Sequence, residues 1–201
     1  MTFHRRMLSV LALLATSFSM PSHAETQQEI VAKNIGKELD PRQIVVTLER
    51  RQCMGSCPAY RIKIDGAGEV EYEGQALVKI TGTRKTTIRQ EEALHIVDEL
   101  LRVRFFDAPA AYDDRRDSIT SHNGRLTLGS GVITDQPSVF LGLQIGSDAK
   151  RVRLSYTAPK EVAAIADLID QTVRIEQWIG IDCERPRSPM FGPRPAGECE
   201  P

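Results

Sequence analysis

Residues 60–73 admit one strand pairing, and that pairing sets the fold class of the chain. Tyr60, Ile62 and Ile64 alternate with Arg61, Lys63 and Asp65. After Gly66-Ala67-Gly68 the pattern resumes, with Val70 and Tyr72 set among Glu69, Glu71 and Glu73. A period of two marks a half-buried strand. Placing Ile64 opposite Val70 and Ile62 opposite Tyr72 keeps every apolar side chain on one face. The same register sets Lys63 against Glu71 and Arg61 against Glu73, favourable cross-strand pairs on the wet face. The connection is then a three-residue loop in which Gly68 takes the left-handed conformation. A two-residue loop would put Lys63 opposite Val70 and is rejected.

The same alternation recurs on both sides. Ile44, Val46 and Leu48 read as a strand that enters a tight corner, Cys53-Met54-Gly55-Ser56-Cys57-Pro58, before the hairpin. After a turn at Gly74, Val78 and Ile80 extend the pattern into a third strand that Gly82 ends, and a short segment reaches Ile88. Thr87 followed by Gln90 reads as a capping box. The stripe Leu94, Val97, Leu101 and Phe105, widened by Ile96 and Leu100, predicts a helix ending near Phe106. Residues 107–124 lack periodicity and read as a long surface loop. Leu126 and Leu128 mark a strand, as do Val139–Ile145 and Val152–Tyr156, joined by a turn at Gly146-Ser147-Asp148. Pro159 opens a last helix with the stripe Val162, Ile165, Ile169 and Val173, running to Trp178 and Gly180. The expected fold is α+β, mainly antiparallel sheet with two packed helices.

The N-terminus is of another kind. Arg5 and Arg6 precede the apolar run Met7–Phe18, and Ser22-His23-Ala24 supplies small residues for cleavage. This predicts a signal peptide over 1–24, removed after Ala24, and hence a periplasmic or secreted protein. The run is too short to span a bilayer, and no later run could. Residues 25–42 form a polar leader, either a short amphipathic helix or a loose segment. A single domain occupies 43–180. Five of the eleven prolines fall in the last 16 residues, so 181–201 form a proline-rich tail with no regular element. The formal net charge of −1 offers no strong attraction to nucleic acid.

Four cysteines in an exported chain read first as disulfides. Of three pairings, the local ones are favoured: Cys53 with Cys57, and Cys183 with Cys199, which tethers the tail. The Cys53-x3-Cys57-Pro58 run resembles the thiol-active and copper-carrying motif of thioredoxin-like copper chaperones. There the motif opens a helix, whereas here the chain continues as a strand. A structural brace is the first reading; thiol-redox or copper handling by Cys53 and Cys57 is the alternative. Asp113, Asp114, Asp117 and His122 offer oxygen and nitrogen donors for a cation. Arg115 and Arg116 interrupt them, and a self-paired, solvated charge run is the first reading. His95 falls beside a helical stripe, as a boundary residue. No nucleophile elbow or phosphate-cradling loop is present, so the reading leans away from an enzyme and calls for no cofactor.

The run Leu48-Glu49-Arg50, Cys53-x-Gly55-x-Cys57-Pro58-x-Tyr60, Ile64 and Gly68-x-Val70-x-Tyr72-x-Gly74 resembles the domain of unknown function 6438 family. Thr134-Asp135-Gln136-Pro137, Ile169-Asp170 and Trp178-Ile179-Gly180 extend the likeness over about 43–180. The resemblance implies an exported bacterial protein and carries no activity, cofactor or catalytic residue. Loop 113–133 and the tail depart from it. The expected function is a non-catalytic envelope module that binds a protein or cell-wall partner through a sheet edge or the long loop.

Overall fold

The computed structural model describes residues 25–112, 115–132, 138–186 and 188–192. The expected signal peptide, Asp113, Asp114, Thr134–Pro137 and Cys199 lie outside them. Strands β1 (Ile44–Arg50), β2 (Ala59–Asp65), β3 (Glu69–Ala76), β4 (Gly82–Thr87), β7 (Val139–Ile145) and β8 (Asp148–Leu154) form one sheet in the order β4-β3-β2-β1-β7-β8. Every pairing in it is antiparallel. The hairpin has the expected register, Ile64 opposite Val70 and Ile62 opposite Tyr72. Gly68 sits at φ 90, and a Cβ there would strike the Ile88 carbonyl oxygen.

Parity decides what each face buries. Val46, Leu48, Tyr60, Ile62, Ile64, Val70, Tyr72, Leu141, Leu143 and Val152 share one face, and all are buried. Helices α2 (Gln90–Arg102) and α3 (Lys160–Thr172) close this core with Ile96, Val97, Leu100, Val162, Ile165 and Ile169. The α3 stripe is the expected one. On α2 the buried face is Ala93, Ile96, Val97 and Leu100, rotated from the expected stripe, and Leu94 is exposed. The α+β architecture stands, with two short helices added. One is α1 (Gln27–Asn34), where the leader is helical and capped by Thr26 and Glu29. It docks through Ile30 and through Gln27, whose Nε2 donates to the Leu101 carbonyl at 2.6 Å.

Several boundaries differ from the sequence reading, each for a local reason. Val78 and Ile80 do not form a strand. Leu77 at φ 53 turns the chain, and the amides of Lys79 and Ile80 donate to the carbonyls of Ile179 and Trp178. Gly74 stays within β3, and the next strand is β4, a polar edge exposed along its whole length and so without alternation. The α2 cap lies two residues further on than Thr87-Gln90, the Glu92 carboxylate accepting from the Arg89 amide at 2.9 Å. That helix ends at Arg102, and Arg104 at φ 54 turns into a 3₁₀ segment, Phe105–Asp107. The turn between β7 and β8 is shorter than expected, because Asp148 already pairs with Ile145. The last helix breaks at Arg174, φ 52, and a separate turn, α4 (Glu176–Ile179), follows.

The largest difference is in the expected loop. Arg115–His122 is a strand, β5, paired along its length with β6 (Arg125–Val132) as a separate two-stranded ribbon. Asn123 at φ 50 and Gly124 at φ 75 make its turn. Asn-Gly is the strongest short-range hairpin signal, and it lies in the sequence in plain view.

Candidate functional site

Three features could carry function: the disulfide corner with its buried charges, the open face of the sheet, and the ribbon. Cys53 and Cys57 are joined in a disulfide that closes the corner between β1 and β2, and the Gly55 amide donates to the Cys53 sulfur at 3.2 Å. Cys183 is also disulfide-bonded, its expected partner Cys199 lying outside the described residues. Among the described residues no group of three or more His, Cys, Asp and Glu side chains is placed to hold a metal ion.

The corner sets Arg50 directly across from Tyr60, both on the helix face. Asp170 of α3 takes both. The Tyr60 hydroxyl donates to Asp170 Oδ1 at 2.8 Å, and Arg50 Nε donates to Oδ2 at 2.9 Å. Arg50 Nη2 also donates to the exposed Asp167 at 2.9 Å. Burial pushes the Asp170 carboxyl above its ordinary range, and the Arg50 and Tyr60 contacts oppose that without cancelling it. Burial, reinforced by Asp170, raises the Tyr60 phenol far above its ordinary value. Asp170 also lines a cleft of about 660 Å³ with Asp167, Gln171, Arg174 and Glu176. The hydrogen bonds from Arg50 and Tyr60 tie Asp170, and with it α3, to β1 and β2.

The opposite face of the sheet is polar and, among the described residues, uncovered. Glu49 is 8% exposed although it points outward. Arg51 Nε donates to its Oε1 and Arg151 Nη2 to its Oε2, each at 2.6 Å, and Arg61 lies 3.5 Å away. Burial works against ionisation, but the Arg51 hydrogen bond and the charges of Arg151 and Arg61 outweigh it, holding the carboxyl below its ordinary range. Lys63 stands opposite Glu71 as expected, while Lys85 supplies the 3.5 Å ion pair to Glu71. A cleft of about 430 Å³ opens there between Lys63, Asp65, Glu69 and Lys85.

The ribbon is apolar on one side. Ile119 pairs with Leu128 and Ser121 with Leu126, so Ile119, Leu126 and Leu128 share a face. They are 69%, 75% and 75% exposed. Asp117 and His122 are five residues apart on β5, which directs their side chains to opposite faces. His95 is exposed on α2. The sequence reading attached no surface role to Ile119, Leu126 or Leu128, because an apolar alternation implies burial unless the element stands alone.

These features define a class: a small α+β domain with a disulfide-braced strand corner and an open, charged sheet face. The chain belongs to the family described as a domain of unknown function, DUF6438, whose model matches residues 44–173, more than half its length. No curated protein and no solved structure is matched. The matched span begins at β1 and ends after α3, so it takes in both sheets and leaves out α1 and α4. Among the described residues no helix is long and apolar enough to cross a membrane.

Proposed function

We propose that the protein is an exported, non-catalytic envelope module that binds a protein partner through the β5–β6 ribbon. The observation that carries this reading is the ribbon's face of Ile119, Leu126 and Leu128, each more than two-thirds exposed. A lone two-stranded ribbon does not hold itself against water. Three large apolar side chains on one side of it gain burial only against another surface, about 25 cal/mol per Å² removed from water. Export rests on the charged start, the apolar run and the small residues before Glu25.

The test is photo-cross-linking in the producing cells, with the photoreactive residue at Leu128 and, as a control, at Asp98 on α2. A discrete adduct from position 128 is expected, lost when Ile119 and Leu126 are both replaced by Asp. Adducts of equal yield from both positions refute the reading. The envelope fraction should contain a chain that begins at Glu25, and an intact Met7–Phe18 in that fraction refutes export.

A further inference from the structure

The solvent face of the sheet carries a second surface, built around Phe140. Strand register places it. Glu49 of β1 stands between Arg61 of β2 and Phe140 of β7, and in the next row Thr47 and Gly142 precede Arg151 of β8. Gly142 presents no side chain, and a Cβ there would strike Thr47 Oγ1. Arg151 therefore reaches back across its neighbour to the Glu49 carboxylate. Its guanidinium carbon lies 4.2 Å from the centre of the Phe140 ring, and that of Arg51 lies 4.4 Å from it.

We propose that this platform, Arg51, Arg61 and Arg151 about Phe140, recognises the side-chain carboxylates of an acidic segment of a partner protein. Three guanidiniums converge on the single carboxylate of Glu49, with Glu73 taking the far side of Arg61 at 3.3 Å. Among the described residues, positive charge is left over. About half of each arginine side chain is exposed, so the surplus faces water. Arg51 spends its Nε on Glu49 and Arg151 one Nη; no other side-chain bond of either is formed among the described residues. The remaining N–H groups form planar forks, which match a carboxylate with two parallel hydrogen bonds. Stacking on the ring and anchoring by Glu49 hold the forks in place before a ligand arrives, which lowers the ordering cost of binding.

Charge selects the occupant. The local surplus is small and the chain is net −1, so a polyphosphate or nucleic acid finds no extended positive field. A segment with one or two carboxylates fits it. The glutamates of β3, Glu69, Glu71 and Glu73, border the platform on one side and repel an acidic segment there, which confines it to the β1–β7–β8 side.

The probe is the peptide acetyl-(Glu-Gly)3-amide, titrated into the purified chain and followed by the arginine Nε–H and Phe140 ring resonances. It has no apolar side chain for the ribbon to hold, so its binding is independent of the ribbon reading. Shifts are expected at Arg51, Arg61, Arg151 and Phe140. Binding should weaken about tenfold or more in the Arg51→Gln, Arg151→Gln double variant and stay unchanged in Lys160→Gln. Arg151→Lys keeps the charge without the fork and should not restore binding. Arg151→Gln alone supplies the same readout if the double variant does not fold. Absence of shifts, equal shifts with inorganic phosphate, or binding that survives Arg151→Gln overturns the proposal.

Discussion

Replacing Asp170 by Ala should cost about 2–4 kcal/mol of stability, and the figure follows from what the carboxylate holds. It accepts the Tyr60 hydroxyl at 2.8 Å and pairs with Arg50 Nη2 at 2.7 Å. Removing one partner of a buried ion pair typically costs about 3–5 kcal/mol, because the other charge is left uncompensated. Here the Arg50 side chain keeps 23% exposure and retains Asp167, itself 70% exposed, which brings the figure to the lower end. Orphaning the Tyr60 hydroxyl adds about 1 kcal/mol. Asp170→Asn keeps an acceptor for Tyr60 and should cost less, while Asp167→Asn should cost under about 0.5 kcal/mol, as exposed pairs do. The folded-state pKa of Asp170 lies above its ordinary 3.8, so the native chain loses part of its stability as pH rises from 3.8 through the raised value, and the figure of about 2–4 kcal/mol applies above that range, where the carboxylate is ionised. That decline should vanish in Asp170→Asn. The assay is urea unfolding followed by the fluorescence of Trp178, the chain's single tryptophan. A loss under about 1 kcal/mol for Asp170→Ala, or equal losses at 167 and 170, refutes the argument.

Gly74→Ala should destabilise by about 2–4 kcal/mol, since the new Cβ strikes the Ile80 carbonyl oxygen and the Tyr72 hydroxyl and breaks their 3.0 Å hydrogen bond. Gly131→Ala, which meets open space on the ribbon, should be nearly neutral in the same urea assay. Burial pushes the Tyr72 phenol up to about 12 from 10.0 and the Tyr60 phenol beyond that. The native chain therefore holds these two protons after the unfolded chain has released them, and stability falls as pH rises past 10.0. Tyrosinate absorbance should show both phenols neutral in the native protein at about pH 11; four tyrosines titrating together near 10.0 contradict this. Cys53→Ser with Cys57→Ser should lower stability by about 2 kcal/mol, the loop-closure value for so small a ring. A loss near zero means that the corner is held by the Arg50 network alone.

The sheet was legible because its signal is geometric. In β1–β3, β7 and β8 alternation and burial coincide, so parity alone returned the 60–73 register residue by residue. β4 was not legible: an edge strand exposed on both faces, Gly82–Thr87, has no reason to alternate. β5 was missed for a different reason. Its Arg-Arg-Asp-Ser start reads as loop by composition, and only the Asn123-Gly124 turn betrays the hairpin. The α2 stripe came out rotated because Leu94 and Leu101 are apolar residues at the margin of the buried face. Of the sites, the Cys53–Cys57 bridge was visible from spacing and from the compartment that the N-terminus leads one to expect. The Arg50–Asp170 pair was not, because 120 residues separate its members.

The residues that carry the family likeness sort by the side of the sheet they serve. Leu48, Ile64 and Val70 build the core; Arg50, Tyr60 and Asp170 join it to α3. Gly68 and Gly74 make room for neighbouring carbonyl groups, and Tyr72 stacks on Trp178 with ring centres 4.8 Å apart. Each of these has a structural task that would be needed whatever the domain binds. Glu49 does not fit that pattern. Among the strand positions of the likeness its side chain alone points to the solvent face, where no core needs it. A lone outward glutamate is ordinarily exposed, yet this one is roofed by three arginines and Phe140. Stability gives little reason for such an arrangement, because half-exposed ion pairs contribute at most about 1 kcal/mol each. Holding guanidinium forks in a fixed plane is what a recognition surface requires.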